Sequence, residues 1–115
     1  MTEQQDRLPV RMTVRDWATV DAELDNTSSV SRVDGPQDRA DLADAVRDAG
    51  RVQVPWQGQD WPPMTDLLDV TLSRSQWAFA LTEVEGSISV YEELDDQESA
   101  DLGRAAAAAI RSAGA

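Results

Sequence analysis

Residues 70–114 carry a helical hydrophobic pattern, in which apolar side chains recur every three or four positions. Ser73 followed by Gln76 predicts a helix N-cap with its capping-box partner. A polar break at 95–97 then precedes an Ala-rich second helix over 100–110, with Leu102, Ala106, Ala109 and Ile110 on its apolar side. We therefore expect an antiparallel helical hairpin. Its first helix should bury one continuous face: Trp77, Leu81, Val84, Ile88 and Tyr91.

The same pattern occurs 60 residues earlier in the chain. Aligning residues 10–55 with 70–115 without a gap produces 13 identities in 46 pairs, roughly three times what chance would produce. Thr13 and Ser73 also match at the two predicted N-caps. The chain thus contains a duplication, and two αα units favour a pseudo-twofold four-helix arrangement. The identities include Val10/Val70, Trp17/Trp77, Glu23/Glu83, Val30/Val90, Leu42/Leu102 and Arg51/Arg111.

The first unit departs from the second in the length of its first helix. We expect this helix over about 14–24, with Asp16 as the capping-box partner of Thr13. Asn26 aligns with Gly86, and both residue types favour helix C-termini, so an alternative interpretation ends both first helices there and makes 87–91 a strand. The second helix of this unit is expected over 38–49, capped by Gly50, with Leu42, Ala45, Val46 and Ala49 facing inward.

Before each first helix the apolar residues alternate, which is typical of an extended segment. Such segments could pair as a two-stranded ribbon on the twofold axis, although a loop is an equal alternative. The predicted fold class is therefore mainly α: duplicated αα-hairpin units in a pseudo-twofold four-helix arrangement, with short β segments that could pair, and α+β as the alternative. We expect one domain over 1–115, with unit one at 10–50, a connector at 51–69 and unit two at 70–114. The alternating residues are Leu8, Val10, Met12 and Val14, and then Val70 and Leu72.

The net charge of −12 comes from 22 acidic residues against 10 arginines, without any lysine. An excess of Asp over Glu with Arg as the base is typical of halophilic or GC-rich prokaryotes, and the other interpretation is mimicry of nucleic acid. Because the chain has no cysteine and no apparent signal peptide or membrane segment, we expect a cytoplasmic protein without membrane attachment.

The chain contains no histidine and no cysteine, which excludes Ser-His, Cys-His and His-metal chemistry. It also lacks a glycine-rich phosphate loop. Two acidic clusters are dense enough to suggest a divalent metal, but both lie opposite the apolar faces, so we expect solvated surface rather than a metal site. No enzyme activity and no cofactor are expected. The clusters are Asp38, Asp41, Asp44 and Asp48, and then Glu92, Glu93, Asp95, Asp96 and Glu98.

The predicted order of strand, helix and helix, with paired strands on a twofold, resembles the outline of ribbon-helix-helix regulators. That resemblance implies base-reading side chains on the ribbon, for which only Arg11 and Thr71 are candidates. A net charge of −12 makes contact with phosphates unfavourable at ordinary salt. A nucleic-acid-associated regulator, or a nucleic-acid mimic, is therefore the alternative function.

The connector is the one segment that the duplication does not explain, and it contains two tryptophans among prolines. Tryptophan is enriched at interface hot spots, so we expect partner-binding residues here, with one indole buried and the other at least half exposed. The predicted function is that of a small, acidic, non-enzymatic intracellular protein that binds another protein, as a monomer or homodimer. The candidate binding residues are Trp56, Trp61, Pro62 and Met64.

Overall fold

The computed structural model describes residues 6–114, which form two strands and four helices. Each repeat unit is one strand followed by two helices, and the predicted fold class is confirmed. In chain order the elements are β1 (Arg7–Thr13), α1 (Val14–Asp34), α2 (Gln37–Arg51), β2 (Leu67–Ser73), α3 (Arg74–Glu93) and α4 (Gln97–Ser112). Within this range no helix has both the length and the apolar character needed to cross a membrane.

The two strands pair as an antiparallel ribbon, which is one of the two alternatives that the alternating pattern left open. Val10 faces Val70 at the centre of the ribbon, and the Leu8–Leu72 and Met12–Leu68 pairs lie on either side. Since Val10 and Val70 are equivalent positions of the duplication, a pseudo-twofold axis passes between them. The alternate residues point into the core and are buried, whereas Pro9, Arg11 and Asp69 are exposed.

Both first helices begin with the predicted capping boxes. The Thr13 hydroxyl accepts from the Asp16 N–H, and the Ser73 hydroxyl accepts from the Gln76 N–H, each at 3.1 Å. The expected end of the first helix near residue 24 was wrong, since α1 continues to Asp34 and Gly35 ends it. The alternative strand over 87–91 was also wrong, because those residues lie inside α3.

The core lies between the ribbon and the four helices, with the equivalent residues Trp17 and Trp77 at its centre. Both side chains are fully buried, and their rings meet edge to face, with centroids 6.3 Å apart and planes at 86°. The Trp77 indole N–H also donates to the Leu8 carbonyl at 2.8 Å, which ties α3 to β1. These contacts join the N-terminal halves of the first helices to each other and α3 to the ribbon.

The second helices bury Val46, Ala106 and Ile110 as expected, but the rest of their buried face is shifted from the predicted positions. Leu42 is 45 % exposed and Ala45 is exposed, so their predicted inward positions were wrong, and Leu102 is only half-buried. Small residues that follow the predicted positions in the sequence, such as Ala43, Gly50 and Gly103, lie at the interface instead. They allow α2 and α4 to approach the first helices closely. The buried residues are Ala40, Ala43, Val46 and Gly50 in α2, and Ala100, Gly103, Ala106, Ala107 and Ile110 in α4.

Candidate functional site

The connector between α2 and β2 is an ordered aromatic turn. Gln57 and Asp60 exchange both backbone hydrogen bonds at 3.0 Å, which leaves a two-residue loop in which Gly58 has a φ of 66°. The residues flanking this loop are Trp56 and Trp61, whose ring centroids lie 4.4 Å apart at 47°. The sequence therefore places the two indoles against each other across a tight turn.

The predicted binding residues come together at this turn, but they also close the core. Trp56, Trp61 and Met64 are half-buried and contact the core cluster, while Pro62 is buried. The expectation of one buried and one exposed indole was wrong, because the two tilted rings contact each other and both are half-buried. Trp56 is further held by its indole N–H, which donates to the Arg51 carbonyl at 2.9 Å.

Two backbone contacts fasten the end of the connector to the start of α1. The N–H groups of Val14 and Arg15 donate to the carbonyls of Asp66 and Met64, at 2.8 and 3.0 Å. These N–H groups belong to the first turn of a helix, where no intrahelical acceptor exists. The connector therefore satisfies donors that would otherwise need solvent, and its shape is determined at both ends.

Gln53 fastens the other end of the connector to the outer edge of the ribbon. Its side-chain oxygen accepts from the Thr71 N–H, and its side-chain nitrogen donates to the Thr71 carbonyl, both at 2.7 Å. The same nitrogen lies 2.9 Å from the Ala49 carbonyl. One amide thus pairs with the exposed edge of β2 in the way that a third strand would.

A second candidate site, which sequence analysis did not identify, is a cleft of about 520 Å³ between α1 and α3. Glu83 accepts from Arg39 at 2.5 and 2.7 Å, and from the Thr27 hydroxyl at 2.8 Å. The equivalent Glu23, which is only 8 % exposed, accepts from the Tyr91 hydroxyl at 2.7 Å. The sequence contained one signal for this site: an identical acidic pair among the matches of the two predicted helices, Glu23 and Glu83.

The pKa of Tyr91 is raised by the negative charge in this cleft. Its pKa is raised to about 12, first by its hydrogen bond to Glu23, then by desolvation and by the charges of Glu23 and Asp96. Ionisation of the phenol would break that bond and place an anion beside a carboxylate. Tyr91 therefore remains a neutral donor, which supplies a hydrogen bond to Glu23 but no positive charge.

The two acidic clusters are surface features tied to arginines and caps. Arg32 pairs with Asp41 and Asp44, and Arg104 pairs with Glu92. Asp96 caps α4 through the Ser99 N–H and hydroxyl, at 3.1 and 2.7 Å, and these bonds lower the pKa of Asp96. Within residues 6–114, no group of three or more acidic side chains is arranged to hold a metal ion.

The arginines divide into two groups by position. The arginines on the helices away from the ribbon pair with carboxylates. Arg47, for example, pairs with Asp21 and Asp25. Across the ribbon, Arg11 pairs with Asp69 at 3.0 Å. The described part of the chain has four arginines without an ion pair, and all lie in or next to the strands and the connector: Arg7, Arg15, Arg51 and Arg74.

Comparison of the chain with protein-family models, with curated proteins and with solved structures finds no significant match.

Proposed function

We propose that this protein acts in the cytoplasm by binding another protein, without catalysing a reaction, and that the connector forms the contact surface. We define the connector surface by its half-buried or exposed apolar side chains. Val52 and Leu67, which bracket the connector, are 82 % and 63 % exposed. The three between them are Trp56, Trp61 and Met64.

The observation that carries this proposal is the contacting pair of half-buried indoles on a turn held at both ends. A chain joining two helical hairpins needs about 2–8 residues, whereas residues 52–66 separate α2 from β2 here. The hydrogen bonds of Gln53 and of the α1 N-terminus already order the connector in the free protein. Binding a partner therefore costs less conformational entropy of the connector. An aromatic pair held in this way is typical of interface anchors.

The charge distribution supports a partner that meets this end of the molecule. The strands, the connector and their neighbours contain five arginines, namely Arg11 and the four unpaired ones, against five aspartates: Asp6, Asp16, Asp60, Asp66 and Asp69. This end is therefore close to neutral, while the remainder of the chain carries the net charge of −12. Dense like charge repels most proteins and keeps the other faces solvated, as in a halophilic cytoplasm.

The test is affinity capture from the cytosol of the source organism at its native salt. Wild type is compared with the double variant Trp56→Leu/Trp61→Leu, which keeps an apolar, though smaller, side chain against the core at each position. Val33→Ser, at a site 83 % exposed on α1, is the matched control. We expect a protein that is retained by wild type and by the control and lost from the double variant. Retention of the same proteins by a folded double variant would refute the proposal.

A second candidate is a nucleic-acid-associated regulator, which the ribbon and its four unpaired arginines favour. The phosphate contribution would have to come from that end alone, against the net charge of −12. Fluorescence anisotropy with a duplex of about 30 base pairs, at low and high KCl, separates the candidates. Salt-sensitive binding that Arg7→Ser and Arg74→Ser weaken would favour the regulator over the protein-binding function.

A further inference from the structure

The duplication supplies an internal comparison for the buried carboxylates. Glu23 and Glu83 occupy equivalent positions on α1 and α3, yet their partners differ. Glu83 pairs with Arg39, and the residue that corresponds to Arg39 in the second unit is Ser99. Glu23 is therefore buried without the guanidinium partner that Glu83 has. Within residues 6–114, no cationic group lies within 4 Å of Glu23.

One oxygen of Glu23 is open. Its Oε1 accepts from Tyr91, whereas Oε2 accepts no hydrogen bond from the described residues. Because no side-chain oxygen or nitrogen in that part of the chain is both sealed from solvent and without a partner, Oε2 contacts solvent. Glu23 lines both the cleft described above and a second, smaller cavity. Burial of a carboxylate without a countercharge is costly, so Glu23 at 8 % exposure is a strong acceptor for a cation.

The smaller cavity lies between α1 and α4 and has a volume of about 300 Å³. We call it the α1–α4 pocket. Its walls combine acceptors with short apolar side chains, which suits a charged head on an alkyl stem. Arg15 lies at its edge on α1, eight residues before Glu23. The side chains that line the pocket include Ala18, Ala22, Glu23, Tyr91, Ser99 and Leu102.

We propose that the α1–α4 pocket binds a guanidinium group, which pairs with Glu23 as Arg39 pairs with Glu83. A guanidinium fits better than an ammonium because its planar fork can contact Oε2 of Glu23 and the hydroxyl oxygens of Tyr91 and Ser99 together. The group belongs either to a small molecule or to an arginine side chain of a protein partner. This site is separate from the connector surface and does not depend on it.

Binding can be followed at the tyrosine that forms the pocket, since the chain contains one tyrosine. Labelling with 3-fluorotyrosine yields one ¹⁹F resonance at Tyr91. Methylguanidinium chloride is titrated at constant ionic strength, with tetramethylammonium as a cation that lacks donors. We expect a saturable shift with methylguanidinium only. Absence of a saturable shift up to about 100 mM, where even a millimolar site would be filled, would overturn the proposal.

Variants assign the effect to Glu23. Glu23→Gln should weaken binding at least about 10-fold, the worth of a charge-assisted hydrogen bond. Glu93→Gln removes the same charge from an exposed position and should change nothing. Equal binding by a folded Glu23→Gln protein, checked by circular dichroism, would refute the assignment.

The duplication also suggests a variant that fills the pocket from within. Ser99→Arg restores the residue found at position 39, so it should abolish methylguanidinium binding and move the ¹⁹F resonance towards its bound position. Ser99→Ala loses the same hydroxyl bond to Asp96 and one proposed acceptor of the guanidinium without adding a cation, so it should weaken binding without abolishing it. Full binding by Ser99→Arg would contradict the proposed position of the guanidinium.

A blocked tripeptide with arginine at its centre distinguishes the two sources. Glu23-dependent binding of the peptide that is tighter than that of methylguanidinium would assign the site to a partner's arginine side chain. Binding of methylguanidinium without the peptide would assign it to a small molecule. Failure of both to bind in a Glu23-dependent way would overturn the proposal, and neither result bears on the connector surface.

Discussion

Replacing Gly50 with alanine should destabilise the protein, although alanine is the better helix former. Gly50 lies in the last turn of α2 and is buried. A Cβ at this position would lie 2.0 Å from Cζ2 and 2.2 Å from Cη2 of Trp17. Trp17 is fully buried and contacts Trp77 edge to face, so the ring cannot retreat without disturbing the centre of the core.

The magnitude follows from two opposing effects. Alanine in place of glycine stabilises a helix by about 1 kcal/mol, whereas forcing an extra carbon into a close-packed core costs about 1–3 kcal/mol and occasionally more. A ring displacement of more than 1 Å, needed to reach an ordinary contact, belongs at the upper end of that range. We expect a net loss of about 2 kcal/mol in the free energy of unfolding, or about 8 °C in Tm for a chain of this length.

Two other helical glycines serve as controls in the same thermal unfolding assay. A Cβ at Gly86 would have no heavy atom within 4 Å, so Gly86→Ala should stabilise by about 0.5–1 kcal/mol. A Cβ at Gly103 would lie 2.9 Å from Cγ1 of the half-buried Ile88, which can shift, so Gly103→Ala should change stability little. A Gly50→Ala protein at least as stable as wild type would refute the close contact of α2 with Trp17.

Four further changes have defined outcomes. Gln53→Leu leaves the Thr71 edge unpaired and should cost about 2 kcal/mol in denaturant unfolding, with faster hydrogen exchange at the Thr71 amide; unchanged exchange would contradict the edge contact. The phenol absorbance of Tyr91 should titrate near a pKa of about 12, and Glu23→Gln should lower that pKa towards its ordinary value. Because the pKa of Tyr91 is higher in the folded than in the unfolded state, the stability that its hydrogen bond contributes is fully present below pH 10. That stability is lost as pH rises towards 12. The midpoint of thermal unfolding should rise between low and multimolar KCl as like charges are screened; a constant or falling midpoint would argue against halophilic adaptation. Residues 65–115 alone should be unfolded or self-associated, since they lack the strand and tryptophan that complete their core; ultracentrifugation showing a folded monomer would contradict this.

The ribbon illustrates how much of the fold followed from the duplication. A twofold brings equivalent segments together at equivalent positions, and the strands do pair with Val10 opposite Val70. The capping boxes at Thr13 and Ser73 were predictable because they involve residues three apart and depend on little else.

The candidate sites were predictable only in part. A long connector with two tryptophans stood out from the repeat, and the residues around Trp56 and Trp61 do come together. The contact between the two rings was not predictable, because it depends on the two-residue loop at Gly58 and on a carbonyl at the end of α2. The Glu23 site was visible only as an identity between the units, and its free oxygen depends on side chains from α3 and α4.

The sequence by itself determined the repeat, the fold class and the starts of the first helices. Each of these depends on spacing or on neighbours within one turn. Only the tertiary structure decided where α1 ends and which face of α2 is buried. Past residue 24, the Thr27 hydroxyl on α1 donates to Glu83 on α3, and Gly50 is buried because Trp17 occupies the space of its side chain. Such contacts join residues far apart in the chain, and burial depends on the shape of the partner as well as on local hydrophobicity.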